Sequence, residues 1–235
     1  MSDCKQKPKI KITAKGPYIV TGGVKISEKI ITPVGDGYEW TDGEPIPQSE
    51  VYALCRCGKS KNPPFCDGFH VKTHFTGEET AERNKFMDRA TVFEGPELDL
   101  YDDSRCAFAR FCHRDSGNIW ELIRGSDDPY LKEEAIKAAS DCPTGRLVAA
   151  DKSGNLIEPH YEPEIIIVQD PDRGCSGGIY VKGDIEIESA DGELYEHRGR
   201  SVLCRCGQSE NTPFCDASHV SYRYRDKKKG LLDLL

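Results

Sequence analysis

One stretch of seventeen residues occurs twice in the chain, and it constrains the fold more than any other feature. Residues 54–70 read LCRCGKSKNPPFCDGFH, and residues 203–219 read LCRCGQSENTPFCDASH. The two copies align without a gap, and each has the spacing Cys-x-Cys-x8-Cys-x3-His. Thiol and imidazole groups at such a strictly kept spacing predict a metal centre in each copy. The predicted ligands are Cys55, Cys57, Cys66 and His70 in the first copy, and Cys204, Cys206, Cys215 and His219 in the second.

A second, weaker repeat precedes each copy of this stretch. The text GPYIVTGGVKI begins at Gly16 and GGIYVKGDIEI begins at Gly177, and both alternate between apolar and polar residues around a glycine. Alternation predicts a β-hairpin or a pair of short strands, followed by strands over 50–54 and 201–203 that enter the two stretches. The repeating unit is therefore a whole small β-domain, and two such domains can pack about a pseudo-two-fold axis, as identical subunits do.

The residues between the two copies predict helices and a further strand. Asp128-Pro129 followed by YLKEEAIKAASDC predicts a helix that begins near Pro129 and ends at Cys142. Its apolar face is predicted to hold Leu131, Ala135, Ile136 and Ala139. We also expect a helix over 78–87, a helix capped by Ser104 over 104–110, a buried strand over 165–168, a loop with one or two short strands over 30–51, and a loose arm over 1–15.

These patterns predict an α+β fold, with two small β-rich domains packed as a pseudo-two-fold pair and a central α+β insertion. The predicted domains are residues 10–75, 76–170 and 171–225, followed by a C-terminal tail over 226–235. We expect a monomer, because the internal repeat supplies the pair that two subunits would otherwise form.

Eleven cysteines could indicate either disulfides or bound metal. The first residues, MSDCKQKPKIKI, lack the apolar segment of a secretory signal, and no apolar run is long enough to span a bilayer. We therefore expect a cytoplasmic protein with no membrane contact, whose cysteines bind metal. The net charge of −8 argues against binding to nucleic acid, which requires a basic surface.

Thiolate and imidazole ligands suit zinc or an iron–sulfur cluster. Three cysteines and one histidine can close a tetrahedral zinc site, and the same set can hold a [2Fe–2S] cluster with two ligands on each iron. Zinc sites usually separate the first pair of ligands by two to four residues, whereas Cys-x-Cys separates them by one. Residue chemistry alone leaves both alternatives open. In either case Gly58 or Gly207, with Pro64 or Pro213, is expected to shape a tight loop whose backbone N–H groups point at sulfur.

The repeated stretch resembles the CDGSH iron–sulfur family, whose pattern continues from Cys-x-Cys to Ser or Thr and then to Pro-x-Cys-Asp-Gly, a small residue and His. Two departures are visible: Phe69 replaces the small residue, and Ala217 replaces the glycine. Neither departure removes a ligand. The matching residues are Cys55, Cys57, Ser60, Pro64, Cys66, Asp67, Gly68 and His70, and in the second copy Cys204, Cys206, Ser209, Pro213, Cys215, Asp216, Ser218 and His219.

The resemblance implies one [2Fe–2S] cluster per copy, bound by three cysteines and one histidine. A neutral imidazole in place of a thiolate leaves less negative charge on the cluster and raises its reduction potential. An exposed histidine can also take up a proton, which couples redox state and cluster retention to pH.

The central segment contains SRCAFARFCHRDSG and, after the predicted helix, CPTGRL. It resembles the divergent ferredoxin-like mono-cluster domain that accompanies some CDGSH modules. Cys106, Cys112 and Cys142 are one ligand short of a [4Fe–4S] set, so His113, Asp115 or Cys175 would have to complete it, or a [3Fe–4S] cluster would form. The alternative, which we favour at this point, is a cluster-domain fold whose cysteines are buried without a cluster. Cys4 carries no pattern.

The sequence is consistent with three functions. The first is electron transfer or redox sensing with two [2Fe–2S] clusters and a redox partner. The second is transfer of the cluster to an apo acceptor protein, and the third is a structural zinc module that binds other proteins. An enzyme is not expected, because no nucleophile–base set, P-loop or dinucleotide-binding motif occurs in the sequence.

Overall fold

The computed structural model describes residues 7–226 and shows a mixed α+β fold of short strands and few helices. The strands are β1 (Lys9–Ile12), β2 (Tyr18–Thr21), β3 (Lys25–Val34), β4 (Gly37–Asp42), β5 (Tyr52–Leu54), β6 (Thr91–Glu94), β7 (Leu98–Asp102), β8 (His113–Arg114), β9 (Gly117–Asn118), β10 (Leu147–Asp151), β11 (Leu156–Ile157), β12 (Glu164–Asp170), β13 (Cys175–Lys182), β14 (Glu186–Glu188) and β15 (Arg200–Leu203). The helices are α1 (Phe69–Lys72), α2 (Phe86–Arg89), α3 (Ile119–Arg124), α4 (Pro129–Ser140) and α5 (Ser218–Ser221), with a 3₁₀ turn over Pro171–Arg173.

The first sheet has the strand order β14-β1-β2-β5. Residues 9–12 read Lys-Ile-Lys-Ile, and the period of two turns both isoleucines inward, where they are fully buried. The expected loose arm over 1–15 is therefore wrong for residues 9–12. The lysines that suggested it lie on the opposite face of a strand that has partners on both sides.

The second sheet has the order β15-β13-β12-β3-β4. In it β3, from the first half of the chain, pairs in parallel with β12. In the first sheet β14, from the second half, pairs in parallel with β1. The first half thus gives β3 and β4 to the second sheet, and the second half gives β14 to the first sheet, so neither sheet is complete without residues from both ends of the chain. The pseudo-two-fold packing stays a prediction, and this reciprocal exchange is consistent with it.

Glycines lie where the chain leaves one sheet for the other. Gly22 and Gly23 have φ values of 90° and 63°, and Gly183 has a φ of 83°, a region that glycine enters at little cost. These turns send β3 and β14 away from the strands that precede them. Two strands flank Gly22-Gly23 as predicted, but β3 has 10 residues and is not short. The alternative of a hairpin is wrong because β2 and β3 belong to different sheets.

The central segment has its own sheet, in the order β11-β10-β7-β6, and its own core. Helix α4 packs there through Ala135, Ala138 and Ala139, which are fully buried. The Asp128 side chain accepts a hydrogen bond from the N–H of Tyr130 at 2.8 Å and caps the helix. The predicted helix is confirmed from Pro129, although it ends at Ser140 and not at Cys142.

Two other helix predictions are wrong. Residues 104–110 form a loop in which Ser104, Phe108 and Arg110 have φ values of 67°, 58° and 68°, which no right-handed helix allows. A contact with a distant residue holds this loop, because the Arg110 guanidinium binds Asp170 at 2.7 Å. Residues 78–87 are irregular apart from the start of α2 at Phe86.

The remaining predictions concern strands. Residues 30–51 contain the end of β3 and the whole of β4, which form a hairpin, as expected for a loop with one or two strands. The buried strand over 165–168 is confirmed as part of β12. It lies inside the predicted central domain of residues 76–170, yet it pairs with β3 and β13 in the second sheet.

Over residues 7–226 we find no helix of the length and apolar character that a bilayer span requires. Cys4 and nearly all of the predicted C-terminal tail lie outside the described residues.

Candidate metal centres

Each ligand loop folds back onto the strand that leads into it. After β5 the Cys55 N–H donates to the Pro64 carbonyl and the Cys66 N–H donates to the Ala53 carbonyl, both at 2.8 Å. These antiparallel bonds bring the third cysteine beside the first. In the second loop the N–H groups of Cys204 and Cys215 donate to Pro213 and Val202, also at 2.8 Å.

The predicted ligands approach one another in pairs. The Sγ atoms of Cys55 and Cys57 are 3.8 Å apart, and those of Cys204 and Cys206 are 3.5 Å apart. Cys66 Sγ lies 3.4 Å from His70 Nδ1, and the equivalent distance from Cys215 to His219 is 3.3 Å. Within residues 7–226, no three Cys, His, Asp or Glu side chains converge tightly enough to hold a single metal ion.

The motif aspartates hold the loop and the histidine in place. The Asp67 carboxylate accepts from the backbone N–H of Lys61 at 2.8 Å and from that of Phe69 at 3.0 Å. Asp216 accepts from Glu210 and Ser218 at the same two distances. Hydrogen bonds from the N–H of Lys61 lower the pKa of Asp67, so the carboxylate stays ionised and keeps both bonds.

The first thiol of each motif lies in a field that favours thiolate. A hydrogen bond from Cys57, followed by backbone N–H groups including that of Ser60, lowers the pKa of Cys55 to about 6 against the effect of burial. Cys206 and backbone groups including the N–H of Ser209 lower the pKa of Cys204 to about 6 in the same way. Thiolate is the form that binds metal, and one of the expected backbone N–H groups, that of Gly68, donates to the Cys66 sulfur at 3.5 Å.

The two ligand loops lie back to back. A Cβ on Gly58 would lie 2.3 Å from the carbonyl oxygen of Cys206, and one on Gly207 would lie 2.6 Å from that of Cys57. The Tyr18 hydroxyl also donates to the Cys204 carbonyl at 2.8 Å, which ties β2 of the first half to the second loop. The two centres are therefore neighbours, which the sequence did not predict.

Each Cys-x-Cys encloses an arginine that the sequence analysis overlooked, and both arginines are buried. Arg205 pairs with Asp226 at 2.6 Å and donates to the Gly177 and Val168 carbonyls at 2.8 and 2.9 Å. The signal that could have found them was the identical residue between the two cysteines in both copies.

Arg56 has a different environment from Arg205. Its guanidinium lies 5.6 Å from the ring centres of Tyr18 and Phe75, and its Nε has no hydrogen-bond partner within residues 7–226. Gly77 occupies the position that Asp226 holds in the second copy. The first centre thus has an adjacent buried cation without the carboxylate that neutralises its counterpart.

The centres also differ in exposure. Cys66 and His70 are partly exposed, whereas Cys215 and His219 are each 3% exposed. The loop of the central segment buries the second centre, because Ala107, Ala109 and Phe111 share a core cluster with Cys215. Burial, with a contribution from Arg205, lowers the pKa of His219 to about 4 and keeps this imidazole neutral.

The three central cysteines lie near one another. Burial raises the pKa of Cys112 to about 11, with further contributions from the nearby thiols of Cys142 and Cys106. Cys106 also contributes to raising the pKa of Cys215, so this one central thiol lies near the second centre.

The three residues considered as a fourth central ligand have different environments. Asp115 already accepts from the Asp36 N–H at 2.7 Å, and His113 is exposed on β8. Cys175 begins β13 beside Asp170 and Arg110. Each of these assignments to the third site remains a prediction.

Comparison with known families agrees with this layout. Residues 15–71 and 176–220 match a family described as iron-binding zinc finger, CDGSH type, and residues 93–152 match a family described as divergent 4Fe-4S mono-cluster. Searches of curated proteins and of solved structures gave no significant match. The chain is an iron–sulfur protein with two CDGSH domains that flank a divergent mono-cluster domain.

Proposed function

We propose that the chain binds two [2Fe–2S] clusters, each through three cysteines and one histidine, and that it serves electron transfer or redox sensing. The observation that carries the proposal is the arrangement of the ligands in two separate pairs in each loop. A metal–sulfur bond of about 2.3 Å with tetrahedral angles puts two thiolates on one metal about 3.8 Å apart. The thiol pairs lie 3.8 and 3.5 Å apart, close to this separation, which supports two irons with two ligands each.

A mononuclear zinc site fits this arrangement less well. All four ligands of a tetrahedral zinc must approach one another closely, whereas no three do so among the described residues. The paired geometry therefore favours the cluster over the zinc alternative.

A bound [2Fe–2S] cluster supplies a site that takes up and releases one electron. The Nδ1 atoms of His70 and His219 face the sulfur of the third cysteine, so Nδ1 is the atom that would bind the cluster. A neutral imidazole adds no negative charge beside the cluster and so raises its potential. The imidazole of His70 is partly exposed to solvent, whereas that of His219 is buried.

The central cysteines are compatible with a third cluster. The match to a mono-cluster domain and the proximity of Cys106, Cys112 and Cys142 support it. The alternative is that the segment keeps the fold without a cluster and acts as the cover of the second centre. The iron content of the protein separates these two cases.

Replacing the ligating histidines tests the redox proposal. His70→Cys and His219→Cys keep four ligands but add a negative charge to one centre each, so the midpoint potential of that centre should fall by on the order of a hundred millivolts. Protein-film voltammetry measures it, and His74→Cys, which changes a nearby histidine outside the motif, is the control. Unchanged potentials in both ligand variants would contradict the proposed ligation.

Cluster transfer is a second candidate, favoured by the partial exposure of Cys66 and His70. An accessible edge with a histidine ligand allows release to an apo acceptor, and the stronger thiolate bond in His70→Cys should slow it. Donation by His70→Cys at the wild-type rate would exclude this candidate for the first centre.

A further inference from the structure

A groove of about 590 Å³ lies against both ligand loops. Gly58 and Phe69 of the first loop line it, as does Cys206 of the second. Any molecule that occupies this groove lies against the two loops that carry the predicted ligands.

The groove is positively charged although the whole chain carries a net charge of −8. Lys59, Lys61, Arg223 and Arg225 line it, all four are exposed, and none forms an ion pair with another residue of the described part of the chain. The one carboxylate in the lining, Asp226, is already paired with the buried Arg205. Within the lining of the groove, no carboxylate is therefore left to pair with these four cations.

Exposed apolar side chains accompany these cations. Tyr222 in the groove is 65% exposed, and Val71 on α1, next to His70, is 69% exposed. The Lys61 ammonium lies 5.6 Å from the centre of the Phe69 ring, so a cation and an aromatic ring share one surface. Aromatic residues and arginine are enriched where proteins bind other proteins.

The second copy of the motif lacks this surface. Gln208 and Glu210 occupy the positions of Lys59 and Lys61, and Ser218 occupies that of Phe69. The loop geometry is the same in both copies, so the ligand loop does not need these two lysines to fold. Their presence at the partly exposed centre alone requires another explanation.

We propose that this basic groove is the docking site of an acidic partner protein, which it holds against the first centre. Opposite charges speed encounter and orient a partner, and a positive patch on an acidic chain favours one face of contact. The identification of the partner as a redox protein rests on the proposed function, whereas docking of an acidic protein does not.

Equilibrium binding tests the proposal with the cluster-loaded full chain. The probe is a fluorescent polyglutamate peptide, read by anisotropy at low salt and again at higher salt. One groove variant, Lys59→Gln with Lys61→Glu, introduces the residues of the second copy. The other, Arg223→Glu with Arg225→Glu, changes the two arginines that line the groove. Lys132→Glu with Lys137→Glu, on α4 away from the groove, is the matched control.

We expect each groove variant to weaken binding by on the order of tenfold, the control to change it little, and salt to weaken wild-type binding. Absorption spectra and melting temperatures of all variants show whether the clusters and the fold are kept. Absence of wild-type binding, or equal loss in control and groove variants, would overturn the proposal.

Tighter binding of a DNA duplex or of anionic lipid vesicles than of polyglutamate would also overturn it. Because this readout is binding, its failure leaves the proposed redox function standing. A failure of the redox function likewise leaves the binding result intact.

Discussion

Single residues in the ligand loops show that the two copies share the same backbone conformation. Gly68 precedes the first histidine helix with a φ of 81°, and Ala217 holds the same place in the second copy with a φ of 69°. Alanine pays a steric penalty in this left-handed region that glycine does not. The second copy thus keeps the conformation that positions His219 in spite of its side chain.

Exchanging these two residues should change stability in opposite directions. Ala217→Gly relieves the left-handed strain and is expected to raise the free energy of unfolding by about 1 kcal/mol. Gly68→Ala introduces the same strain, with no atom within 4 Å of the new Cβ, and should lower it by about 1 kcal/mol. Urea unfolding measures the free energy of unfolding of both variants. If it changes in the same direction in both, left-handed backbone strain is not the cause of the changes.

The ion pair of Arg205 and Asp226 should make stability depend on pH. Burial acts to raise the pKa of Asp226, but the adjacent Arg205 outweighs it and lowers the pKa below its usual value. A lowered folded-state pKa stabilises the fold above the unfolded pKa of about 3.9, and this contribution is lost as the pH falls through the folded value.

Asp226→Asn removes the charge and leaves Arg205 buried and unpaired. It should lower the free energy of unfolding by about 3 kcal/mol near neutral pH. The difference from wild type should narrow as the pH falls below about 4. Urea unfolding at several pH values gives this curve, and a difference that does not vary with pH would contradict the role of the charge.

At the scale of the elements, the two ligand loops and the exchanged strands join the halves of the chain into one unit. Gly58 and Gly207 each lie against the backbone of the opposite loop, with φ values of 69° and 71°. A side chain at either position would push the two loops apart. Contact between the loops therefore depends on both glycines.

Gly207→Ala tests the contact between the loops. Its Cβ would lie 2.6 Å from the Cys57 carbonyl oxygen, so we expect a loss of more than about 3 kcal/mol in the free energy of unfolding and a loss of iron from both centres. Gly192→Ala has a similar φ of 92° with no atom near its Cβ, so it shows the backbone cost alone, about 1 kcal/mol. Equal effects of the two variants would rule out a tight contact.

The sequence predicted the elements whose causes are local. The ligand pairs follow from the spacing inside each loop, and α4 follows from Asp128, Pro129 and a periodic apolar face. The left-handed residues of the 104–110 loop depend instead on distant contacts such as that of Arg110 with Asp170, so local propensity predicted a helix that does not form. The sequence also did not predict the exchange of strands between the two halves, because alternation identifies a strand but not the strand with which it pairs.

At the scale of the whole molecule, the central segment makes two similar centres unequal. Its loop buries the second centre around Cys215, while the first centre keeps a partly exposed histidine near a basic groove. The repeat predicted both ligand sets, but it could not predict this difference, since burial of His219 comes from residues outside either copy. The molecule thus has one accessible centre and one enclosed centre in back-to-back loops.

Cluster binding is best tested by the visible absorption spectrum of freshly isolated protein, with iron, acid-labile sulfide and zinc counted per chain. We expect a coloured protein with equal iron and sulfide, about four of each for two [2Fe–2S] clusters. About three or four additional irons would place a third cluster at Cys106, Cys112 and Cys142. A colourless protein that contains zinc but no sulfide would contradict the binding of iron–sulfur clusters.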